Sequence, residues 1–563
     1  TRTRSGFQRK RGRIHVAKNR AYSCCIDKGL PSIDNIRDAA YTKRSVIPVS
    51  MNQRHEFRRQ PAYRLIALAV LPVILAFSAS CRKGARVVRG TEANVLLITL
   101  DTTRADRLGC YGYAQARTPN LDRLAAEGVR YENAISPVPL TLPAHASILT
   151  GALPPAHQVR NNGNYFLSAE SLTLAEIFKS KGYATAAFVA SFVVDSRFGL
   201  DQGFDVYDDR IGDPAVVKGV YTERRADEVY RAFSAWFSGR PPGKFFAWVH
   251  FFDPHMPYDP PEPLKGTPGL DPYDGEIANV DIYIGKMIEE LEREPSVRAD
   301  TLIAVAGDHG EAFGEHGEFG HGVFCYQEAL AVPFIIAAPG RLPAPSVIPD
   351  RVSLVDLLPT LLDFCGIESP PSAQGHSLLP LFGKRDGRDR SLYFETYFPF
   401  ENMGCAPITG RIEGNRKYIE LPQAELYDLD KDPGETNNLA TEETRVAREM
   451  RDALLAWEKD IGREARGSAR AVTPEERRRL ESLGYLSMGR PAADKGSLPD
   501  PKDRIAGWTA FNRGMSLFQM GRLNEAETAL REAMALAPDL TGPVLELGEI
   551  YFARRKAAPL ISL

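Results

Sequence analysis

The run Val95-Leu96-Leu97-Ile98-Thr99-Leu100 is apolar almost without interruption and stops at Asp101. A strand without polar alternation is buried on both faces, the condition of a central parallel strand in an α/β sheet. An acid at its carboxyl end stands where open α/β sheets present ligand-binding groups. Comparable runs lie at 184–189, 245–250, 302–306 and 334–337. Between them, Thr118-Pro119 caps and starts a helix with Leu121, Leu124 and Ala125 on one face and Gly128 as its stop. Ile277, Val280, Ile284, Met287, Ile288 and Leu291 recur at helical spacing. This alternation predicts a doubly wound α/β sheet.

The chain has 563 residues, 43% hydrophobic and 25% charged, with net charge −2. That is room for one large domain and something smaller. The near-neutral balance, without an aromatic-interleaved basic stripe, gives no case for nucleic acid. Residues 1–50 are rich in Arg without periodicity and are expected to be a spurious or disordered N-terminal extension. From Met51 the pattern changes: Arg54, Arg58, Arg59 and Arg64 precede an apolar core at 65–77, then Ser78-Ala79-Ser80-Cys81. This reads as a signal peptide over 51–81 with a lipoprotein site at Cys81. The apolar core, broken by Pro72, is short for a membrane span. Export to the periplasm or cell surface follows, with the membrane met only through an N-terminal anchor. Cys110, Cys325, Cys365 and Cys405 show no C-x-x-C spacing, which argues against a zinc ribbon.

Thr141-Leu142-Pro143-Ala144-His145 runs on into Ala146-Ser147-Ile148-Leu149-Thr150-Gly151. The stretch resembles the signature of the sulfatase family, Cys/Ser-x-Pro-x-Arg-x-x-x-Leu-Thr-Gly. Two positions depart. His145 replaces the Arg, and Thr141 replaces the Cys or Ser that the family oxidises to formylglycine. Threonine's carbinol carbon also carries a methyl, so that oxidation would give a ketone; formylglycine is not expected. A second run, Gly307-Asp308-His309-Gly310-Glu311 with His321-Gly322, resembles phosphoethanolamine transferases as closely as sulfatases. Those transferases use a Thr nucleophile, and Asp101-Thr102-Thr103-Arg104 echoes their Glu-Thr-x-Arg. Sulfatases carry a second Asp where Thr102 stands, and their Lys-x-His pair is missing at 188–193. Pro254-His255-Met256-Pro257 matches the family's Pro-His-x-Pro, whose His contacts the transferred group. Glu425-Leu426-Tyr427-Asp428-Leu429, Asp432-Pro433 and Asn438-Leu439-Ala440 resemble the sulfatase carboxy-terminal subdomain.

The resemblance spans 93–460 and implies an alkaline-phosphatase-like fold with a small C-terminal subdomain. It implies one divalent ion (Zn, Mn, Ca or Mg) held by Asp101, Thr141, Asp308 and His309, a donor set suited to such ions. Thr141 would be the nucleophile and His321 the general acid. His255 would stabilise charge, and His145 would orient the nucleophile. Arg104 and Asn162 are candidate contacts to substrate. For His145, His250 and His316, hydrogen-bonded scaffolding competes with a direct role.

Residues 461–505 read as a linker. Beyond them Gly514, Leu517, Gly521, Ala526, Leu530, Ala533 and Pro538 fit a tetratricopeptide repeat, and Gly548 and Tyr551 restart it. The segment 506–563 is expected to be a truncated array, because one repeat and part of another cannot bury a solenoid core. A protein partner is the expected role. For the catalytic domain, Thr141, Thr102 and His321 favour a phosphoester hydrolase or phosphoryl-group transferase working through a covalent Thr141 intermediate on a small anionic ester. The alternative is a sulfuric ester hydrolase working without formylglycine. A non-catalytic binding module is a third reading, opposed by the charged ligand set.

Overall fold

A computed structural model describes Val87, Arg89, residues 93–163, 165–211, 224–382 and 390–461, Thr473, Glu476, Leu480 and residues 498–554. The expected N-terminal extension, signal segment and Cys81 lie outside the described residues. Among those described, no helix is long and apolar enough to cross a membrane.

The main sheet has eight strands: β1 (Asn94–Leu100), β2 (Val129–Ile135), β3 (Ala184–Phe188), β4 (Val206–Asp208), β5 (Phe245–Phe251), β6 (Thr301–Gly307), β7 (Ala331–Ala337) and β8 (Ser346–Ser353). Their order is β8-β2-β7-β6-β1-β5-β3-β4. β1 pairs parallel with β5 and β6, and Leu100 stands opposite both Phe251 and Gly307. That register brings three carboxyl ends to one level, so Asp101 and Asp308 leave the sheet side by side. All five runs that the sequence marks are strands. One differs in direction: β7, comparable to β1 in its pattern, runs antiparallel to both β2 and β6. An apolar run records burial on two faces and not direction. β2 and β8 escape notice because intermediate and exposed residues interrupt their apolar positions.

Among the helices around the sheet are α1 (Pro119–Glu127), α2 (Thr141–Thr150), α3 (Leu174–Ser180), α4 (Ala226–Gly239) and α5 (Pro272–Glu292). α1 starts after Thr118 as expected, but Thr118 does not cap it. Its hydroxyl accepts from Gly109 N and donates to Asp122. The cap comes from α5, where Asp281 Oδ1 accepts from Leu121 N at 2.8 Å and Oδ2 from Asn120 N at 3.1 Å. Gly128 ends α1 for want of space: a Cβ there would lie 2.3 Å from Ile336 O.

The smaller subdomain is an antiparallel sheet of β9 (Ser391–Thr396), β10 (Ile408–Glu413), β11 (Arg416–Glu420) and β12 (Glu425–Asp428). α6 (Thr444–Asp460) covers it, burying Met450 and Leu454 against Tyr393, Tyr418 and Leu426. The repeat follows as α7 (Ile505–Gln519), α8 (Leu523–Leu536) and α9 (Gly542–Ala553). Gly514 admits Leu530 between the first two, since a Cβ there would meet Leu530 Cδ2 at 2.7 Å. α7 is not a free arm. Trp508 stands edge-on to Phe398, and Thr509 Oγ1 donates to Gly317 O at 2.9 Å. Within the stretch expected as a linker, Leu480 is buried against Gly163 and Glu476 lies 3.7 Å from Arg197. Cys110, Cys325, Cys365 and Cys405 are free thiols.

Candidate active site

Asp101 follows β1, Asp308 and His309 follow β6, and Thr141 is the first residue of α2. The four side chains are fully buried and converge. Thr141 Oγ1 lies 3.2 Å from His309 Nε2 and 3.5 Å from Asp101 Oδ2. His309 Nε2 is 3.6 Å from Asp101 Oδ1 and 3.6 Å from Asp308 Oδ2. Those two carboxylate oxygens are buried without a hydrogen-bond partner. His309 Nδ1 donates to Gly310 O at 3.0 Å, which leaves the lone pair on Nε2. Two orphaned carboxylate oxygens facing an imidazole lone pair fit a divalent cation. Burial holds the Asp101 carboxyl up at about 8, reinforced by Glu311 and opposed by His321 and the Thr141 hydroxyl. Asp308 is likewise raised, first by burial and then by Asp101.

His145, one turn along α2, is fully buried with its ring turned into the protein. Nδ1 bonds Thr141 O at 2.7 Å, and a carbonyl only accepts, so Nδ1 carries the proton. Nε2 then accepts from Thr99 Oγ1 at 2.9 Å, and Thr99 in turn accepts from Trp248 Nε1. The ring is neutral, because burial and the neighbouring His250 lower its pKa well below the ordinary value. His145 therefore holds the first turn of α2 in place through the Thr141 carbonyl.

A second wall carries His255 and His321. The His321 ring is 4.4 Å from that of His309 and 5.2 Å from that of His255. His321 Nδ1 pairs with Glu311 Oε1 at 3.2 Å. Burial opposes its imidazolium, but the Glu311 carboxylate outweighs burial and the pKa is raised. His255 stacks on Phe252 and donates from Nδ1 to Met256 O at 2.8 Å. Burial first, and then His321, lower its pKa to about 3.

Asn162 is fully buried behind Thr141. Its Oδ1 accepts from Leu142 N at 2.9 Å, and its Nδ2 has no partner. Arg104 is turned onto the protein instead: its guanidinium bonds Asp106, Glu315 and the Glu311 carbonyl. Thr102, where sulfatases carry a second Asp, takes φ 47° and donates to Pro254 O. His316 is stacked on Tyr326, away from the cluster. Sequence reasoning leaves His250 undecided and misses Glu311. The structure puts His250 Nε2 3.4 Å from Asp101 Oδ2 and Glu311 beneath His321. A His closing a fully buried strand was the available signal for the first, and Asp-His-Gly-Glu for the second.

A "Sulfatase" family model matches residues 93–367, and an "N-sulphoglucosamine sulphohydrolase, C-terminal" model matches 314–460. A tetratricopeptide model matches 509–540. An arylsulfatase of Clostridium perfringens is 27% identical over 62% of this chain and 91% of its own length. A Delta 4,5-hexuronate-2-O-sulfatase of Bacteroides thetaiotaomicron is 26% identical over 73% of this chain and 97% of its own. Among solved structures, a phosphonate monoester hydrolase of Agrobacterium radiobacter superposes with TM-score 0.55 at 23% identity, covering 67% of this chain and 100% of its own. A protein solved with its substrate D-glucosamine-2-N,6-O-disulfate superposes with TM-score 0.58 at 20% identity over the same shares. This chain thus carries a sulfatase-family hydrolase domain, matched over residues 93–460, followed by a tetratricopeptide repeat.

Proposed function

We propose that the chain hydrolyses sulfate esters without formylglycine, using the Thr141 hydroxyl as nucleophile. One observation carries the reading: Thr141 Oγ1 lies between Asp101 and His309, where the family signature puts its reactive side chain. The sulfatases among the relatives favour sulfate over the phosphorus esters that the sequence favours. Asp101, Asp308, His309 and Thr141 would hold one divalent ion, Zn, Mn, Ca or Mg, which when bound lowers the pKa of the threonine hydroxyl and polarises the ester.

Thr141 Oγ1 gives its proton to the Asp101 carboxylate, 3.5 Å away, and attacks sulfur in line, forming an Oγ1–S bond as the bond to the alcohol oxygen breaks. His321, kept protonatable by Glu311, gives the alcohol its proton. Asn162 Nδ2, buried without a partner, donates to a non-bridging oxygen. His255, held by its Nδ1 donating to Met256 O, orients the water that attacks sulfur as the Oγ1–S bond breaks; Asp101 returns its proton to Thr141 Oγ1 and His321 takes the water's proton.

A second reading, hydrolysis or transfer of phosphoesters, is favoured by Thr141 itself. Formylglycine expels sulfate through a geminal hydroxyl that a threonyl ester lacks, whereas a phosphothreonine needs no such group. The test is the whole chain loaded with Mn2+ or Zn2+ and assayed on aryl sulfate, phosphate monoester and phosphate diester, with Thr141→Ala and Thr141→Ser beside it. Sulfate turnover lost in Thr141→Ala and kept in Thr141→Ser supports the first reading; phosphoester turnover alone supports the second. Equal turnover of all three esters by Thr141→Ala would remove Thr141 as nucleophile.

Lipid anchoring at Cys81 and a periplasmic or cell-surface location belong to the same proposal, supported by the 51–81 pattern. Loss of membrane fractionation in Cys81→Ser tests it. The repeats support a protein partner.

A further inference from the structure

We propose that His250 is a positioning residue that holds the metal-binding carboxylate of Asp101 by an N–H bond, and that it is not a metal ligand. The inference rests on the metal site proposed above. Three imidazoles, those of His145, His250 and His309, crowd Asp101 and Asp308, and their ring nitrogens lie within reach of two cation-sized groupings. One is Asp101, Asp308 and His309; the other is His145, His250 and Asp308. The backbone around each ring decides which grouping can bind.

His250 lies on β5 beside Thr99 of β1 and is fully buried. Its Nδ1 accepts from the Ala190 amide at 3.3 Å. A nitrogen that accepts an amide proton carries none of its own, so the neutral ring bears its proton on Nε2. That nitrogen is buried without a hydrogen-bond partner, and its nearest charged oxygen is Asp101 Oδ2 at 3.4 Å. Ligating a cation through Nε2 would require an imidazolate or the loss of the Ala190 bond. His145 is excluded in the same way, since the nitrogen 3.6 Å from Asp308 Oδ2 is Nδ1, whose proton goes to Thr141 O. His309 is the reverse case: a carbonyl takes its Nδ1 proton, and Nε2 faces both carboxylates as a lone pair.

The consequence is a division of labour within one carboxylate. Asp101 Oδ2 faces two donors, Thr141 Oγ1 and His250 Nε2, while Oδ1 stays unpartnered opposite His309. Asp101 is thereby set to bind through Oδ1, and the second grouping is a pair of donors rather than a second cation site. Groups that orient a ligand typically change metal affinity by about 10–100-fold when removed.

The test is calorimetric titration of the whole chain with Zn2+ in the absence of substrate, beside His250→Ala and His250→Gln. The wild type is expected to bind one ion. His250→Ala is expected to bind it about 10–100-fold more weakly, and His250→Gln, whose amide N–H replaces Nε2–H, within a few-fold of wild type. Nitrogen-15 NMR of the histidines in the wild type needs no variant to fold: the His250 Nε2–H should persist on loading while His309 Nε2 shifts. Loss of that N–H on loading, or a second ion abolished in His250→Gln, would overturn this proposal and leave the metal site standing. A wild type that binds no ion would remove the metal site, and this proposal with it.

Discussion

His145 donates its Nδ1 proton to the carbonyl of Thr141, one turn earlier in the same helix, at 2.7 Å. Thr99, Trp248 and His250 close the space around the ring. His145→Arg is therefore not expected to raise sulfate-ester turnover. The longer side chain overpacks a fully buried position and brings a charge whose nearest carboxylate, Asp308, belongs to the proposed metal site. Stability should fall by at least about 1–3 kcal/mol in chemical denaturation. Ester turnover should fall with it, and a gain in aryl sulfate turnover would refute this account of the position.

His321 is expected to act on the leaving alcohol, because Glu311 favours its protonated form. His321→Gln should lower turnover by about 10²–10⁴-fold for alkyl esters, whose alcohols need a proton to leave. The loss should be far smaller for nitrophenyl esters, which leave unassisted. An equal loss on both ester types would mark His321 as structural.

Asp281 caps α1 from another helix through two backbone amides, and also accepts from the Asn120 side chain. Asp281→Ala leaves those buried donors unpaired. The expected cost is about 1–3 kcal/mol, read from urea unfolding, with ester turnover per folded molecule unchanged.

His157 reports on acid stability away from the site. Its ring bonds Ser147 Oγ and the Val159 amide, and burial, then Arg160, hold its pKa down at about 3 against an ordinary 6.5. In the unfolded chain it takes up a proton near the ordinary value. Its contribution to stability is therefore complete above that value and is lost as pH falls toward 3. Between pH of about 6 and about 4, wild type should lose up to about 1.4 kcal/mol per pH unit from this group, and His157→Gln should lose less. Urea midpoints across that range check it; parallel slopes for the two proteins would count against the assignment.

The strands that carry the site were legible because burial on both faces writes itself as an apolar run, as in β1, β5 and β6. β2 and β8 were not, since each leaves residues to solvent and its pattern resembles loop. Asp101, Thr141, Asp308 and His309 could be read because each follows a strand or opens a helix at the same sheet edge. The function of a buried histidine could not be read that way. His309, His250 and His145 differ in what meets each ring nitrogen, and for His250 the group at Nδ1 is the amide of Ala190, reached through the fold rather than along the chain. The cap on α1 was hidden for the same reason: Thr118 has the right local position, but Asp281 arrives from elsewhere.

The bond from Thr509 to Gly317, with Trp508 set against Phe398, has a consequence for where this protein can be cut. Gly317 belongs to the loop that ends at His321, and Phe398 lies against Gly322. A fragment ending after α6 would hand both contacts to solvent and release the loop that holds His321, the proposed general acid. The cooperative unit should therefore extend through α7. An excised catalytic core should melt earlier and work less well than the intact chain, even though its family signatures are complete.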